Sequence, residues 1–196
     1  MKTLRFDSVG GASGDMILSS LVGLGADPDK IRSQLASMHL GPFKIVLSKT
    51  SDRGFAGTKL VVKIGKHHHH ERRLSDILTL LRRSSLSQRA KSLASAVFAN
   101  LAVAEAKVHG TTPAKIHFHE VGAVDSIVDI AGSCAAIDML GISAVHIGPL
   151  PAGYGTIKGH HGVFPNPAPA TAELLKGHDV EQVDEPFELV TPTGAA

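Results

Sequence analysis

Apolar positions along the chain recur with two different periods, and each change of period marks an element. Leu86, Ala90, Leu93, Val97, Leu101, Ala104 and Val108 follow one another at steps of three and four, the spacing that lines up side chains on one face of an α-helix. Gly110, which tolerates the left-handed conformation common just past a helix end, predicts its stop. Residues 59–64 alternate instead, Leu60, Val62 and Ile64 against Lys59, Val61 and Lys63, as a half-buried strand does. Residues 43–47 read as its partner, with Arg53-Gly54-Phe55-Ala56-Gly57 as the connection. Residues 123–140 are apolar nearly all round, which predicts a central helix rather than a surface one.

The rest of the pattern is shorter in range. Lys2 to Phe6 predicts a strand, Gly10-Gly11-Ala12-Ser13-Gly14-Asp15 a tight loop, and Met16, Ile17, Leu18, Leu21, Val22 and Leu24 a helix that Gly25 stops. Asp27-Pro28-Asp29 caps a second helix through Leu35 and Met38. Helical character returns over 74–81 and 170–175, with a strand over 144–147. Residues 148–169 are rich in glycine and proline, which predicts a shaped loop, and Thr191-Pro192-Thr193-Gly194 predicts another. Together these make a mixed α/β fold: a small mixed sheet at the N-terminus packed with helices, followed by a helical segment and a Gly/Pro-rich loop region. The division falls between residues 1–66 and 67–196, both within one compact domain.

Composition then narrows function. At 196 residues, 43% hydrophobic and 19% charged, the chain can bury one substantial core. No apolar run approaches the roughly 18 residues of a membrane span, and the N-terminus lacks the basic and apolar regions of a signal peptide, so a cytoplasmic protein without a membrane partner is expected. A formal charge of +2, no tryptophan and 4% aromatics argue against a nucleic-acid partner. Cys134, the single cysteine, sits among apolar residues and reads as a packed thiol. The twelve histidines instead suggest metal, proton or phosphate chemistry.

Candidate chemistry is densest where Ile116-His117-Phe118-His119-Glu120-Val121-Gly122-Ala123-Val124-Asp125 runs on into Ser126-Ile127-Val128-Asp129. Glu105 and His109, four apart on the preceding helix, share a face. If residues 116–119 are extended, His117 and His119 share a side and could close with Glu105 or His109 around a first-row metal. The plainer reading is that His109 interacts with the helix dipole and the others bond locally. Asp125 suits a first helical turn in any case, whereas Asp129 lies among Ile127, Val128, Ile130 and Ala131 and needs a partner or a metal. Gly11, Ser13, Gly14 and Asp15 offer a helix N-terminus to a phosphate, with Asp7 and Asp15 placed to bring a divalent ion beside it; a simple strand-to-helix turn is the alternative. One of His160 and His161 is expected to have a role in its loop. His67 to His70 either gather metal or form a solvated turn.

These blocks resemble the LarC family of nickel-insertion proteins. The resemblance rests on Phe6-Asp7, on Gly11-Ala12-Ser13-Gly14-Asp15-Met16, on the segment from His67 to Arg72, and on Ala104-Glu105-Ala106 with Val108-His109-Gly110. It continues through His117-Phe118-His119-Glu120-Val121-Gly122-Ala123 and Asp125-Ser126-Ile127-Val128-Asp129 to His161-Gly162, Pro165, Pro167-Ala168-Pro169-Ala170 and Thr191-Pro192-Thr193-Gly194-Ala195-Ala196. It implies a CTP-dependent nickel chelatase of the lyase class, a cyclometallase placing nickel into pyridinium-3,5-bisthiocarboxylic acid mononucleotide with a carbon–nickel bond, helped by manganese or magnesium. His119 or Glu120 is then the candidate base for the ring proton. Gly11, Ser13, Gly14, Asp15, His161 and Thr193 are candidate contacts to the mononucleotide, and His117, His119, Glu105, His109, Asp125, Asp129 and Asp7 candidate metal ligands. The resemblance also implies that the product is the nickel-pincer cofactor of lactate racemase, with that apo-racemase as a partner, a homo-oligomer, and a further C-terminal CTP-binding domain, so that this chain is expected to be an N-terminal part that does not complete turnover alone. The competing readings are a nickel carrier without catalysis and a metal-dependent phosphohydrolase.

Overall fold

The computed structural model describes residues 1–65, 72–119, 121–159 and 162–196; the expectations for His67 to His70, Glu120, His160 and His161 fall outside them. Strand β1 (Lys2–Phe6) leads through the glycine loop into helix α1 (Gly14–Gly23), and Gly25, with φ 107°, turns the chain away. The Asp27 side chain accepts hydrogen bonds from Asp29 N and Lys30 N at 3.0 and 3.2 Å, with Pro28 in the first turn, so helix α2 (Pro28–Ala36) starts where its capping residues place it. Strands β2 (Phe43–Asp52) and β3 (Phe55–Ile64) are longer than the alternation predicted. Their turn is Arg53-Gly54 alone, both at positive φ, a mirror-image turn whose twist matches that of a hairpin and lets pairing run on to Asp52 and Phe55.

Strand β4 (Arg72–Arg73) opens helix α3 (Leu74–Arg83), and Ser87 caps the long helix α4 (Gln88–Val108), accepting from Ala90 N at 3.0 Å. The buried face of α4 is Ala90, Ala94, Phe98, Leu101, Ala102, Ala104 and Ala106; Ala90, Leu101 and Ala104 of the expected stripe are inside, whereas Val108 is exposed and Leu93 and Val97 are only half-buried. Small alanines allow a close approach to the next helix, and Phe98 fills the remaining space. A 3₁₀ turn (Pro113–Lys115) precedes strand β5 (His117–Phe118), which pairs antiparallel with β4. Helix α5 (Val124–Met139) then runs through the core with residues 127–136 all buried, as its unbroken apolar pattern predicts.

Strand β6 (Ile142–Ile147) follows and pairs in parallel with β1. The fold is mixed α/β, as expected, but β1 and the hairpin do not share one sheet. Among the described residues the strands form five separate pairs, and α1 packs on both β3 and α5. Residues 148–169, expected to be irregular, hold three short strands: β7 (Leu150–Ala152), β8 (Thr156–Gly159) and β9 (Gly162–Pro165). β8 and β9 pair with each other, and β7 pairs in parallel with β10 (Val180–Gln182), beyond helix α6 (Pro169–Leu174). Proline is tolerated there because such short edges need few ladder bonds. Helix α7 (Pro192–Ala195), a single turn capped by Thr191, takes the place of the last predicted loop. No helix among the described residues is long and apolar enough to cross a membrane.

The edge of β3 is held by one side chain. Ser19 on α1, itself buried, accepts the Leu60 N–H at 2.9 Å where no further strand does so. Removing that oxygen strands a buried donor, so Ser19→Ala should lower unfolding free energy by about 1–3 kcal/mol in a denaturant titration. No measurable loss would mean that another acceptor replaces it.

Candidate functional site

Two cavities share Pro192 at the start of helix α7, the larger lying also at the starts of α1 and α5 and the smaller at the end of α4 and the start of α6. The larger, about 360 Å³, is lined by Ser13, Asp15, Asp125, Asp129, Glu188 and Thr193, with Val61, Val62, Val121 and Pro192 as its apolar walls. The smaller, about 130 Å³, has Glu105, His109 and His119 as its chemically active lining and shares Pro192 with the first. A wider groove of about 800 Å³ between α1 and the hairpin carries Lys49 and Lys59 and meets the larger cavity at Asp15.

The larger cavity depends on a segment far away in sequence. Gly11, with φ 106°, lies so close to Leu189 that a Cβ there would stand 2.2 Å from its carbonyl oxygen. This allows Ala12 to bridge Val190, with Ala12 N donating to Leu189 O at 2.8 Å and Thr191 N to Ala12 O at 3.0 Å. Gly14 N donates to Thr193 Oγ1 at 3.2 Å, and the Thr191 and Thr193 hydroxyls are 3.0 Å apart. The glycine loop therefore turns several of its N–H groups to its own chain, which leaves fewer for a phosphate than the sequence suggests.

Asp129 is the unusual group. It is 8% exposed, and its Oδ1 has no hydrogen-bond partner among the described residues. Gly14 makes room for it, since a Cβ on Gly14 would lie 2.8 Å from Asp129 Cβ. Burial, and then the nearby carboxylates of Asp15 and Asp125, push its pKa up from 3.8 to about 8. Asp15 and Asp125 sit in the first turns of α1 and α5, where the helix dipole favours their charge. Asp15 Oδ1 accepts from Ser13 Oγ, and Asp125 Oδ1 from Ser126 N at 2.8 Å.

In the smaller cavity His109 Nε2 lies 3.6 Å from Glu105 Oε2, the contact that their spacing on α4 predicts. His117 and His119 part company. β5 ends at Phe118, which is buried with its ring tilted against Phe98, and the chain bends at once. The alternation that would have kept the two imidazoles on one side is lost: His119 lines the cavity, while exposed His117 accepts a hydrogen bond from Arg73 Nε at 3.1 Å. Asp7 pairs with Arg5 at 2.9 Å and lines neither cavity. Among the described residues no three His, Cys, Asp or Glu side chains converge enough to hold a metal ion unaided. Cys134 is buried, its thiol pushed up to about 12 by that burial, so it is the packed thiol expected. Glu188 and Thr191 are cavity residues that the sequence did not single out. Glu188 belongs to an acidic stretch that reads as solvated surface, and its proximity to the Thr191–Thr193 block was the only cue.

Fold and site together describe a mixed α/β protein with a carboxylate chamber beside an imidazole–carboxylate chamber. Residues 4–196 match the family model described as nickel insertion protein, and the chain belongs to that family. It is 46% identical over 98% of its length to the pyridinium-3,5-bisthiocarboxylic acid mononucleotide nickel insertion protein of Staphylococcus saprophyticus, covering 49% of that protein. The protein of the same name from Geobacillus kaustophilus is 45% identical over the whole chain, half of its own length being covered, and a putative nickel insertion protein from Geotalea uraniireducens is 44% identical over the same shares. The chain thus spans about half the length of the curated relatives it matches. No solved structure matches it.

A carboxyl group with a raised pKa has a definite pH signature. Between pH ~4 and ~8 the folded chain keeps a proton on Asp129 that the unfolded chain releases, so stability falls as pH rises through that window, by on the order of 5 kcal/mol in total. Asp129→Asn, which cannot ionise, should raise the melting temperature of the metal-free chain at about pH 8 and flatten its pH dependence. Superimposable pH profiles for the two would show that Asp129 ionises normally.

Proposed function

We propose that the chain provides the nickel-insertion site of this family, where nickel enters a pyridinium-3,5-bisthiocarboxylic acid mononucleotide held across the two cavities. The observation that carries this reading is their adjacency: an imidazole–carboxylate chamber and a carboxylate chamber separated by Pro192, in a chain of the nickel insertion protein family. Glu105, His109 and His119 are nitrogen and oxygen donors of the kind that suit borderline metals such as nickel. Nickel, as a substrate, must also leave. A partial donor set serves that better than a closed cage, and the softer thiocarboxylate sulfurs of the mononucleotide can draw the metal out.

Forming the carbon–nickel bond releases the proton of the ring carbon, which a base must accept. His119 is our candidate because it lines the smaller cavity, with its neighbour Glu120 as the alternative. The ring end of the molecule then lies toward the smaller cavity, beside His119 and the nickel donors, and its phosphate end in the larger, at the starts of α1 and α5. Asp125 and Asp129, Ser13, Gly14, Asp15 and Thr193 then surround the mononucleotide. CTP with manganese or magnesium, the lyase-class chelatase activity, a CTP-binding domain, self-association, transfer to an apo-racemase and a cytoplasmic setting belong to the same proposal and rest on the family resemblance.

Nickel binding by the chain, and single-turnover insertion by the full-length protein supplied with CTP and manganese, test it. His109→Ala and Glu105→Gln should weaken nickel binding by about tenfold or more. His119→Ala should in addition slow insertion by about a hundredfold or more if it is the base. Unchanged single-turnover insertion in both His119→Ala and Glu120→Gln would exclude either residue from that role.

A further inference from the structure

The two cavities differ in donor chemistry, and that difference points to two metals. The smaller offers imidazole. The larger offers oxygen only: the carboxylates of Asp15, Asp125, Asp129 and Glu188 and the hydroxyls of Ser13, Ser126, Thr191 and Thr193, with no basic and no aromatic side chain among its described lining residues. We propose that the larger cavity binds a hard divalent cation of the magnesium or manganese class, separate from nickel, which bridges Asp125 and Asp129 to the phosphate of the mononucleotide. The bridging part rests on the proposed function; the cation site does not.

Clustered carboxylates alone would not justify this, because surface acids are usually solvated. Asp129 is different: it is more than nine-tenths buried, it lines the cavity, and one of its oxygens has no partner among the described residues. A buried polar atom of that kind calls for a ligand. Asp15 and Asp125 each give one oxygen to a local donor, and a carboxylate has a second to offer. An organic cation would be expected to meet aromatic faces, and none is among the described lining residues. A lysine or arginine could neutralise the acids, but none is among the described residues that line the cavity.

That no three such ligands converge among the described residues fits this class of ion. Magnesium-like cations keep several waters and are bound through one or two carboxylates together with substrate phosphate, rather than by a protein cage. The anionic mononucleotide also needs such an ion, since its phosphate would otherwise face a carboxylate-lined chamber unscreened.

Manganese(II), visible by electron paramagnetic resonance, is the direct probe. Titrated into the metal-free chain, it should bind, and Asp129→Asn and Asp125→Asn should each weaken it at least about tenfold, whereas His109→Ala should weaken nickel and leave manganese within about twofold. Circular dichroism establishes that each variant is folded, and Thr193→Val offers a milder second lesion that should weaken manganese by a few-fold. Nicotinate mononucleotide, a pyridinium mononucleotide, should bind about tenfold tighter with manganese present in the parent chain and show no such gain in Asp129→Asn. Unchanged manganese affinity in both aspartate variants, or manganese lost together with nickel in His109→Ala, would overturn the cation site. Mononucleotide binding indifferent to manganese would overturn the bridge. Failure of nickel insertion with manganese binding intact would instead count against the proposed function alone.

Discussion

Everything at the site follows from one constraint: a carboxylate is carried inward on the most deeply buried helix of the fold. α5 has apolar neighbours on nearly all sides, and Asp129 sits in its interior rather than at its exposed end. Such a group costs free energy unless its charge is neutralised or paired. Gly14 leaves the space that it fills, and α1 is thereby brought with its own first-turn carboxylate to the same place. The core and the chamber are thus two faces of one packing arrangement, and neither can be altered without the other.

The second organising element is the short segment from Leu189 to Thr193. It has little secondary structure of its own, yet it fastens the glycine loop by backbone pairing at Ala12 and by the Thr193 hydroxyl at Gly14. Pro192 then forms the wall common to the two chambers. A proline suits that position because its fixed φ suits the start of a helical turn and it carries no N–H to leave unsatisfied there. Among the described residues the partition leaves the imidazoles of His109 and His119 with Glu105 on one side and the carboxylates of Asp15, Asp125, Asp129 and Glu188 on the other.

Much of this was legible in the sequence where one physical signal dominated. The unbroken apolar run of α5 marked a central helix, the spacing of Glu105 and His109 put them on one face, and the isolation of Asp129 among aliphatic residues marked it as a group in need of a partner. The long-range features were not legible. The pairing of β1 with β6 depends on where α5 deposits the chain, and nothing local to Lys2–Phe6 announces it. The two histidines of the His117-Phe118-His119 motif looked alike because an extended segment was assumed to continue, whereas burial of Phe118 and the bend after it send them to different partners. The glycine loop looked like an anion cradle because its tie to Leu189 and Thr193 spans most of the chain.

That tie also sets when the chamber comes into being. Asp15, Asp125 and Asp129 are all synthesised well before Glu188 and Thr193, and the wall at Pro192 is missing until those residues emerge. A nascent chain therefore presents its carboxylates to water before it can enclose them, and loop closure over such a distance in sequence is a late event in folding. The topology thus makes enclosure of these carboxylates depend on residues 188–193, whereas the contacts of α5 with α1 and α4 do not.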